Sequence, residues 1–358
     1  MNLRCFAILL FSVFLLLPAF ATTNLVWHDV RTLPIEGKGW TDTRNFYDRL
    51  PARAQKVVRA PVWELSQNSA GISARFVTDA TTISARWTLR KEQLGLPHMP
   101  ASGVSGLDLY VKESDGWRWV GAGRPRQTRT NEVELCKNLL PGKREYMLYL
   151  PLYNGVTSVH LGVPRGASFA PGEVRKTKPL VFYGTSILQG ACASRPGLAY
   201  PAILGRKLDR AVINLGFSGN AFSEPELAEL LSELDPALYV IDPLPNMQAP
   251  AVLEKLPPFV KRLRKAHPTI PIVLVENIQY TDAFLVRSRH ERYTSSNAAL
   301  RQVYEQLTAD GVKNLHYIPG DELLGPDGEG TVDGTHPNDL GFIRMAEKME
   351  PVLRSLLR

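Results

Sequence analysis

The sequence predicts two folded units: a β-sandwich or jelly-roll domain, then an α/β domain built on a parallel five-stranded sheet with helices on both faces. Three observations carry this reading. Residues 22–163 hold short stretches in which apolar and polar residues alternate, the period of half-buried strands, separated by Gly and Pro turns. Residues 164–178, "PRGASFAPGEVRKTK", are rich in Pro, Gly and basic residues, as connections between domains are. From residue 179 to 358, continuous apolar runs alternate five times with helical periods, the pattern of a parallel sheet covered on both sides.

In the first unit, "ISARFVTD" and "TTISARWTLR" alternate as strands. "LDLYVKESDGWRWVG" reads as a hairpin turning at Asp115-Gly116. "REYMLYLPLY" and "VTSVHLGV" are two more strands, which makes His160 structural. Trp117 and Trp119, two apart on one strand, share a side; a core face is the commoner reason for such a pair than a sugar platform. His98, in "LPHMPASG", falls in a stretch expected to be an exposed loop, the alternative being that it borders a site in the second unit.

In the second unit, "PLVFYG" is a strand buried on both faces and "AYPAILGRKL" a helix; "AVINLG" is the second strand. "SEPELAELLSELDP" is a helix whose Ser223 and Glu226 have capping-box spacing, with Pro225 in the first turn. "ALYVIDPLP" is the third strand, followed by a helix that prolines interrupt in "PAVLEKLPPFVKRLRKAHP". "PIVLVEN", the helix "SSNAALRQVYEQLTADG" closed by Gly311, "LHYIPG" and a final helix from Asn338 complete the alternation.

Residues 1–21 stand apart: one charge, Arg4, then an apolar run, Pro18, and Ala19-Phe20-Ala21. This is the pattern of a cleavable secretory signal rather than a membrane anchor, so a periplasmic or secreted protein is expected, with no stable membrane insertion after cleavage. Loss of Arg4 with the signal lowers the net charge from +7 to +6. No basic helix or aromatic-basic cluster points to nucleic acid. Two cysteines then remain, Cys136 and Cys192. An oxidising compartment permits a disulfide between them, but two free thiols are the commoner outcome.

In open parallel sheets the ligand site lies beyond the carboxyl ends of the strands. Four segments fall there: Gly184-Thr185-Ser186, "NLGFSGN" (214–220), "PLPNM" (243–247) and "DGTHPND" (333–339). Ser186 can attack a carbonyl if a base takes its proton. His336 is the obvious base, and Asp333, three residues earlier, can hold its tautomer. The N–H of Ser186, the N–H of Gly219 and the amide of Asn246 can donate to the developing oxyanion, each such donor being worth about 3 kcal/mol of transition-state stabilisation. Asp242, Glu276 and Tyr280 also follow strands; Asp242 can tune the site or make a local hydrogen bond, and Glu276 and Tyr280 are placed to line a substrate pocket. There is no His-Glu-x-x-His zinc spacing and no glycine loop with a phosphate-binding lysine.

In order and spacing these four segments resemble the blocks of the SGNH hydrolases, also called the GDSL esterase superfamily, over residues 179–358. The resemblance implies a flavodoxin-like fold, nucleophile Ser186, oxyanion donors Ser186, Gly219 and Asn246, and the acid–base pair Asp333 and His336. Thr185 stands where the namesake pattern has Asp, and Pro243 and Pro245 replace the usual glycines around Asn246. "GVSGLDLYV" (103–111) is similar to the Gly-x-Asp-Leu-Tyr segment of a bacterial branch in which a β-rich domain precedes the hydrolase. The resemblance thus implies ester hydrolysis without metal or organic cofactor. An export signal beside a β-sandwich points to a small acylated substrate, an acetylated glycan or glycoside. The alternatives are a lipase, lysophospholipase or thioesterase of the same superfamily, and a glycan-binding protein with a dormant hydrolase fold.

Overall fold

Residues 24–357 are described by the computed structural model, so the expected signal lies outside the described residues. The first unit has ten strands: β1 (Leu25–Asp29), β2 (Ile35–Glu36), β3 (Ser73–Thr78), β4 (Ile83–Leu89), β5 (Leu107–Glu113), β6 (Gly116–Gly123), β7 (Thr130–Cys136), β8 (Arg144–Tyr149), β9 (Val156–Pro164) and β10 (Phe169–Pro171). It also carries two short helices, α1 (Ala60–Ser66) and α2 (Ala101–Val104). One antiparallel sheet runs β1-β9-β4-β7; the other runs β10-β3-β8-β5-β6, with β2 beside β3. The alternation read in the sequence sets their faces. Ile83, Ala85, Trp87 and Leu89 of β4 point inward and meet Ala74, Phe76, Leu107, Leu109, Tyr146 and Leu148 of the facing sheet in one core.

The second unit is a parallel sheet of order β12-β11-β13-β14-β15, made of β11 (Leu180–Gly184), β12 (Val212–Gly216), β13 (Leu238–Asp242), β14 (Ile272–Val275) and β15 (Leu315–Ile318). Helices α5 (Pro225–Ser232), α6 (Ala249–Ala266) and α7 (Arg287–Ala309) pack on one face; α3 (Ser186–Gln189), α4 (Tyr200–Lys207) and α8 (Asp339–Leu356) pack on the other. Every residue of β11, β12 and β13 is buried, which is why these strands read as unbroken apolar runs. The order reverses between β11 and β13, so the site is expected above that pair.

Several local expectations are corrected. The hairpin between β5 and β6 turns on Ser114 and Asp115, one residue earlier than read, with Gly116 already paired to Glu113. Helix α6 is continuous through Pro257 and Pro258, because its buried stripe of Val252, Leu256, Phe259, Val260 and Leu263 docks on the sheet. The capping box of α5 does not form: Ser223 has φ 55°, its hydroxyl faces Met247 Sδ at 3.4 Å, and Glu224 occupies the cap position. Helix α7 begins eight residues before the expected segment. The stretch 164–178 is not a bare connection, since β10 within it pairs with β3 as an edge strand.

The two units share an extensive face. Asp108, Tyr110, Met147 and Tyr149 lie on the outer side of the second sandwich sheet yet are buried, because α4 and the segment before it cover them. Asp108 accepts from Gly197 N at 2.8 Å, Arg195 Nη1 at 2.8 Å and Trp119 Nε1 at 2.9 Å. Trp117 and Trp119 therefore share a side, but it is this outer one and not the sandwich core; Trp119 remains half exposed. Elsewhere Arg49, fully buried, donates to Asn214 O (2.9 Å) and Gly216 O (2.8 Å) on the open edge of β12, and to Asn68 O (3.0 Å) and Leu65 O (2.7 Å) on its own side. A guanidinium thus satisfies edge carbonyls that no further strand pairs.

Candidate active site

Strand β11 delivers the chain to the reversal point and ends at Gly184. A side chain there would run into the carbonyl of Asp242 on β13. Thr185 then caps α3 by accepting from Ile187 N at 3.3 Å, a role open to Thr as well as Asp. Ser186 is the first residue of α3, 8% exposed. Its Oγ lies 3.0 Å from His336 Nε2.

His336 sits in the turn that leads into α8. Its Nδ1–H donates to Asp333 Oδ2 at 2.7 Å. The other oxygen of Asp333 accepts from the backbone N–H of His336 (2.7 Å) and of Thr335 (3.0 Å). Burial opposes ionisation of Asp333, but these hydrogen bonds outweigh it and hold the carboxyl at about 2. The turn is clamped from outside. Arg289 of α7 donates to Asp282 Oδ1 at 2.9 Å and Thr335 Oγ1 at 2.7 Å, and Thr281 N donates to Gly334 O at 3.1 Å. Gly334 has φ 83°, a left-handed conformation that favours glycine, and a Cβ on it would press on Arg289 Nη2 at 2.8 Å, displacing the guanidinium that clamps the turn.

The expected donors converge from two other strand ends. Gly219 follows β12 with φ 67° and an open approach. Its N–H and that of Ser186 have no acceptor among the described residues. Asn246 ends a 3-10 turn (Leu244–Asn246) that contains Pro245; Arg292 Nη2 fixes this turn by donating to Leu244 O and Pro245 O. The hydrogen-bond network orients the Asn246 amide so that its oxygen accepts from Asn220 N and Ala221 N, both at 3.0 Å. The amide N–H groups are then free to donate elsewhere.

The first unit reaches the site. Tyr153 OH donates to Ser186 O at 3.2 Å, and Gln189 Nε2 donates to Leu152 O at 3.0 Å while Gln189 Oε1 accepts from Ser218 N at 3.1 Å. His98 is half buried, its ring centroid 5.5 Å from that of His336, and not on a detached loop. Cys192, also beside His336, and Cys136 are free thiols. Other candidates fall away. Glu276 is buried and bonded to Arg301, Tyr317 and Gly320, tying β14 to β15. Tyr280 is buried under Arg289 and accepts from Asn277. Asp242 is buried with Tyr200 OH donating to it at 2.8 Å, and burial pushes it up to about 8. Arg49, Tyr153 and Gln189 carried no sequence signal, because their partners are backbone groups distant in the chain.

Residues 177–354 match the profile of the GDSL-like lipase/acylhydrolase family, and residues 25–169 match that of the N-terminus of SGNH-hydrolase-type esterases. A solved structure described as a GDSL-like lipase from Bacteroides ovatus is 37% identical, with TM-score 0.89 over 93% of this chain and 98% of its own. The chain belongs to the GDSL-like lipase/acylhydrolase family. The salicylyl-acyltransferase SsfX3 from a tetracycline biosynthetic pathway is similar to this GDSL-like chain in fold, at 19% identity and TM-score 0.74 over 93% of this chain and 99% of its own. So is a family two carbohydrate esterase from Clostridium thermocellum, at 14% identity and TM-score 0.57 over 80% of this chain and 93% of its own. No curated protein sequence matches this GDSL-like chain.

Proposed function

We propose that this GDSL-like protein is an exported serine esterase that removes O-acetyl groups from a carbohydrate. The observation that carries the chemistry is the continuous relay from Ser186 Oγ through His336 Nε2 (3.0 Å) and Nδ1 to Asp333 Oδ2 (2.7 Å). Ser186 Oγ attacks the ester carbonyl as Nε2 takes its proton, and Asp333 steadies the resulting imidazolium. The tetrahedral oxyanion accepts from the N–H of Ser186, the N–H of Gly219 and the Asn246 amide. Collapse passes the proton from Nε2 to the departing alcohol and leaves an acyl-enzyme. A water deprotonated by His336 attacks it, releasing the acid and restoring Ser186.

Support for acetylated carbohydrate comes from likeness. An acetyl xylan esterase from Butyrivibrio proteoclasticus shares the two-unit arrangement over 93% of this chain, at 12% identity. A longer acyl group is the second reading, favoured by Phe284 and Leu285, 84% and 80% exposed, on the loop whose Thr281 bonds the Asp333–His336 turn.

A fluorophosphonate probe is expected to label the folded protein and not Ser186→Ala. Unlabelled wild type would make the chain a binder with a dormant fold. Acetate release from acetylated polysaccharides, with p-nitrophenyl acetate hydrolysed faster than the palmitate, supports the acetylesterase; the reverse preference gives the second reading. Mass spectrometry of the exported protein tests removal of residues 1–21.

A further inference from the structure

Beside the serine relay, three metal-binding side chains face one another. A ring nitrogen of His98, Sγ of Cys192 and a ring nitrogen of His336 all lie within 4.8 Å of one another. They come from three separate places: the loop before α2 in the first unit, the turn after α3, and the turn before α8. Cys192 has φ 72°, a left-handed conformation that non-glycine residues seldom adopt, and its side chain is buried against this rim. Neither the His98 ring nor the Cys192 thiol has a hydrogen-bond partner among the described residues, so the relay does not account for either.

We propose that His98, Cys192 and His336 form a binding site for a zinc-like divalent ion, and that occupancy switches hydrolysis off. Two imidazoles and one thiolate are a ligand set that zinc favours. Zinc bonds of about 2.0 Å to nitrogen and 2.3 Å to sulfur put tetrahedral donors roughly 3.3–3.6 Å apart. Side-chain shifts of about 1 Å therefore close the site. His336 is already oriented as a ligand: its Nδ1–H is held by Asp333, the carboxylate–histidine–metal arrangement, which leaves Nε2 as the coordinating atom. That lone pair is the one that otherwise faces Ser186 Oγ, so metal and serine proton compete for it. Binding releases the thiol proton of Cys192 to solvent and gives the sulfur and both imidazole lone pairs to the ion. Without metal, burial pushes the thiol up to about 12, which keeps it protonated and out of the reaction. The fourth position is left to water or Ser186 Oγ.

The test uses the full folded chain, with cobalt(II) chloride as spectroscopic probe and zinc chloride as inhibitor. One equivalent of cobalt is expected to give a thiolate-to-metal charge-transfer band in the near ultraviolet, absent in Cys192→Ser. Zinc is expected to inhibit ester hydrolysis, reversibly with a chelator. Cys192→Ser and His98→Gln, on different segments, are expected to keep hydrolysing ester while needing at least roughly 10-fold more zinc for the same inhibition. No cobalt–thiolate band in the wild type, or equal zinc inhibition of wild type and both variants, overturns the site. The cobalt titration reads the site even in a protein that hydrolyses no ester, so its failure is distinguishable from failure of the esterase reading.

Discussion

Two carboxylates near the site are driven in opposite directions by their surroundings. Asp333 receives three N–H donors and stays ionised; Asp242 is buried with a single tyrosine hydroxyl and is pushed up to about 8. In an unfolded chain Asp242 would titrate near the ordinary aspartate value. Between that value and 8 the folded protein holds a proton that the unfolded chain has released, so stability falls as pH rises through this window. Asp242→Asn removes that slope. Its stability relative to the wild type is expected to rise from pH 4 to pH 8 by on the order of a few kcal/mol, read by urea unfolding at the two pH values. A difference that does not change with pH would show that Asp242 is already ionised when folded. Of the residues at the site, Ser186, Gly219, Asn246, Asp333 and His336 were legible because each stands just past a strand or before a helix, where topology alone brings groups together. The pairing of His98 and Cys192 with His336 was not: His98, which the sequence offered only as an alternative border of the site, reaches it through docking of the first unit, and Cys192 through a left-handed turn after α3 (φ 72°) that no local pattern encodes.

Among elements, β12 shows how an edge strand of a parallel sheet is finished by a side chain. Arg49 gives β12 two hydrogen bonds and gives the first unit two more, with no ion pair to a carboxylate among the described residues, and burial lowers its pKa. The loop bearing Gly219 leaves β12 directly after Gly216, so the same contact steadies a proposed oxyanion donor. Arg49→Met is expected to lower stability by on the order of 3 kcal/mol, since it leaves buried carbonyls unpaired, and to lower kcat more than it changes KM. Chemical denaturation and steady-state kinetics check both. Unchanged stability would mean that water replaces the guanidinium without loss. Helix α6 teaches the converse about legibility. Its two prolines argued for a break, but five buried apolar residues on one face outweigh two lost backbone hydrogen bonds. Strand and helix order was readable because burial on both faces writes long apolar runs; the cap of α5 was not, because Ser223 answers to Met247 on another element.

Across the whole molecule, the two rhythms of the sequence marked two sheet systems, yet the face between them was hidden. Asp108 and Tyr110 look like outward residues of a half-exposed strand, and only docking shows both buried, with Arg195 Nη1 donating to each. Residues 179–358 produced alone are expected to lose soluble, cooperative folding and esterase activity, as read by circular dichroism and hydrolysis, because β12, Arg195 and Gly197 would lose their partners. A stable, fully active fragment would reduce the first unit to a passenger. Arg49 and Asp108 also bear on inheritance. A gene rearrangement joining this hydrolase to a different first unit at the 164–178 seam would part Arg49 from the carbonyls of Asn214 and Gly216, and Asp108 from Arg195 and Gly197 N–H. The two halves are therefore expected to be inherited as one piece, and a chimera with a foreign first unit is expected to fold stably only when groups equivalent to Arg49 and Asp108 are restored to it.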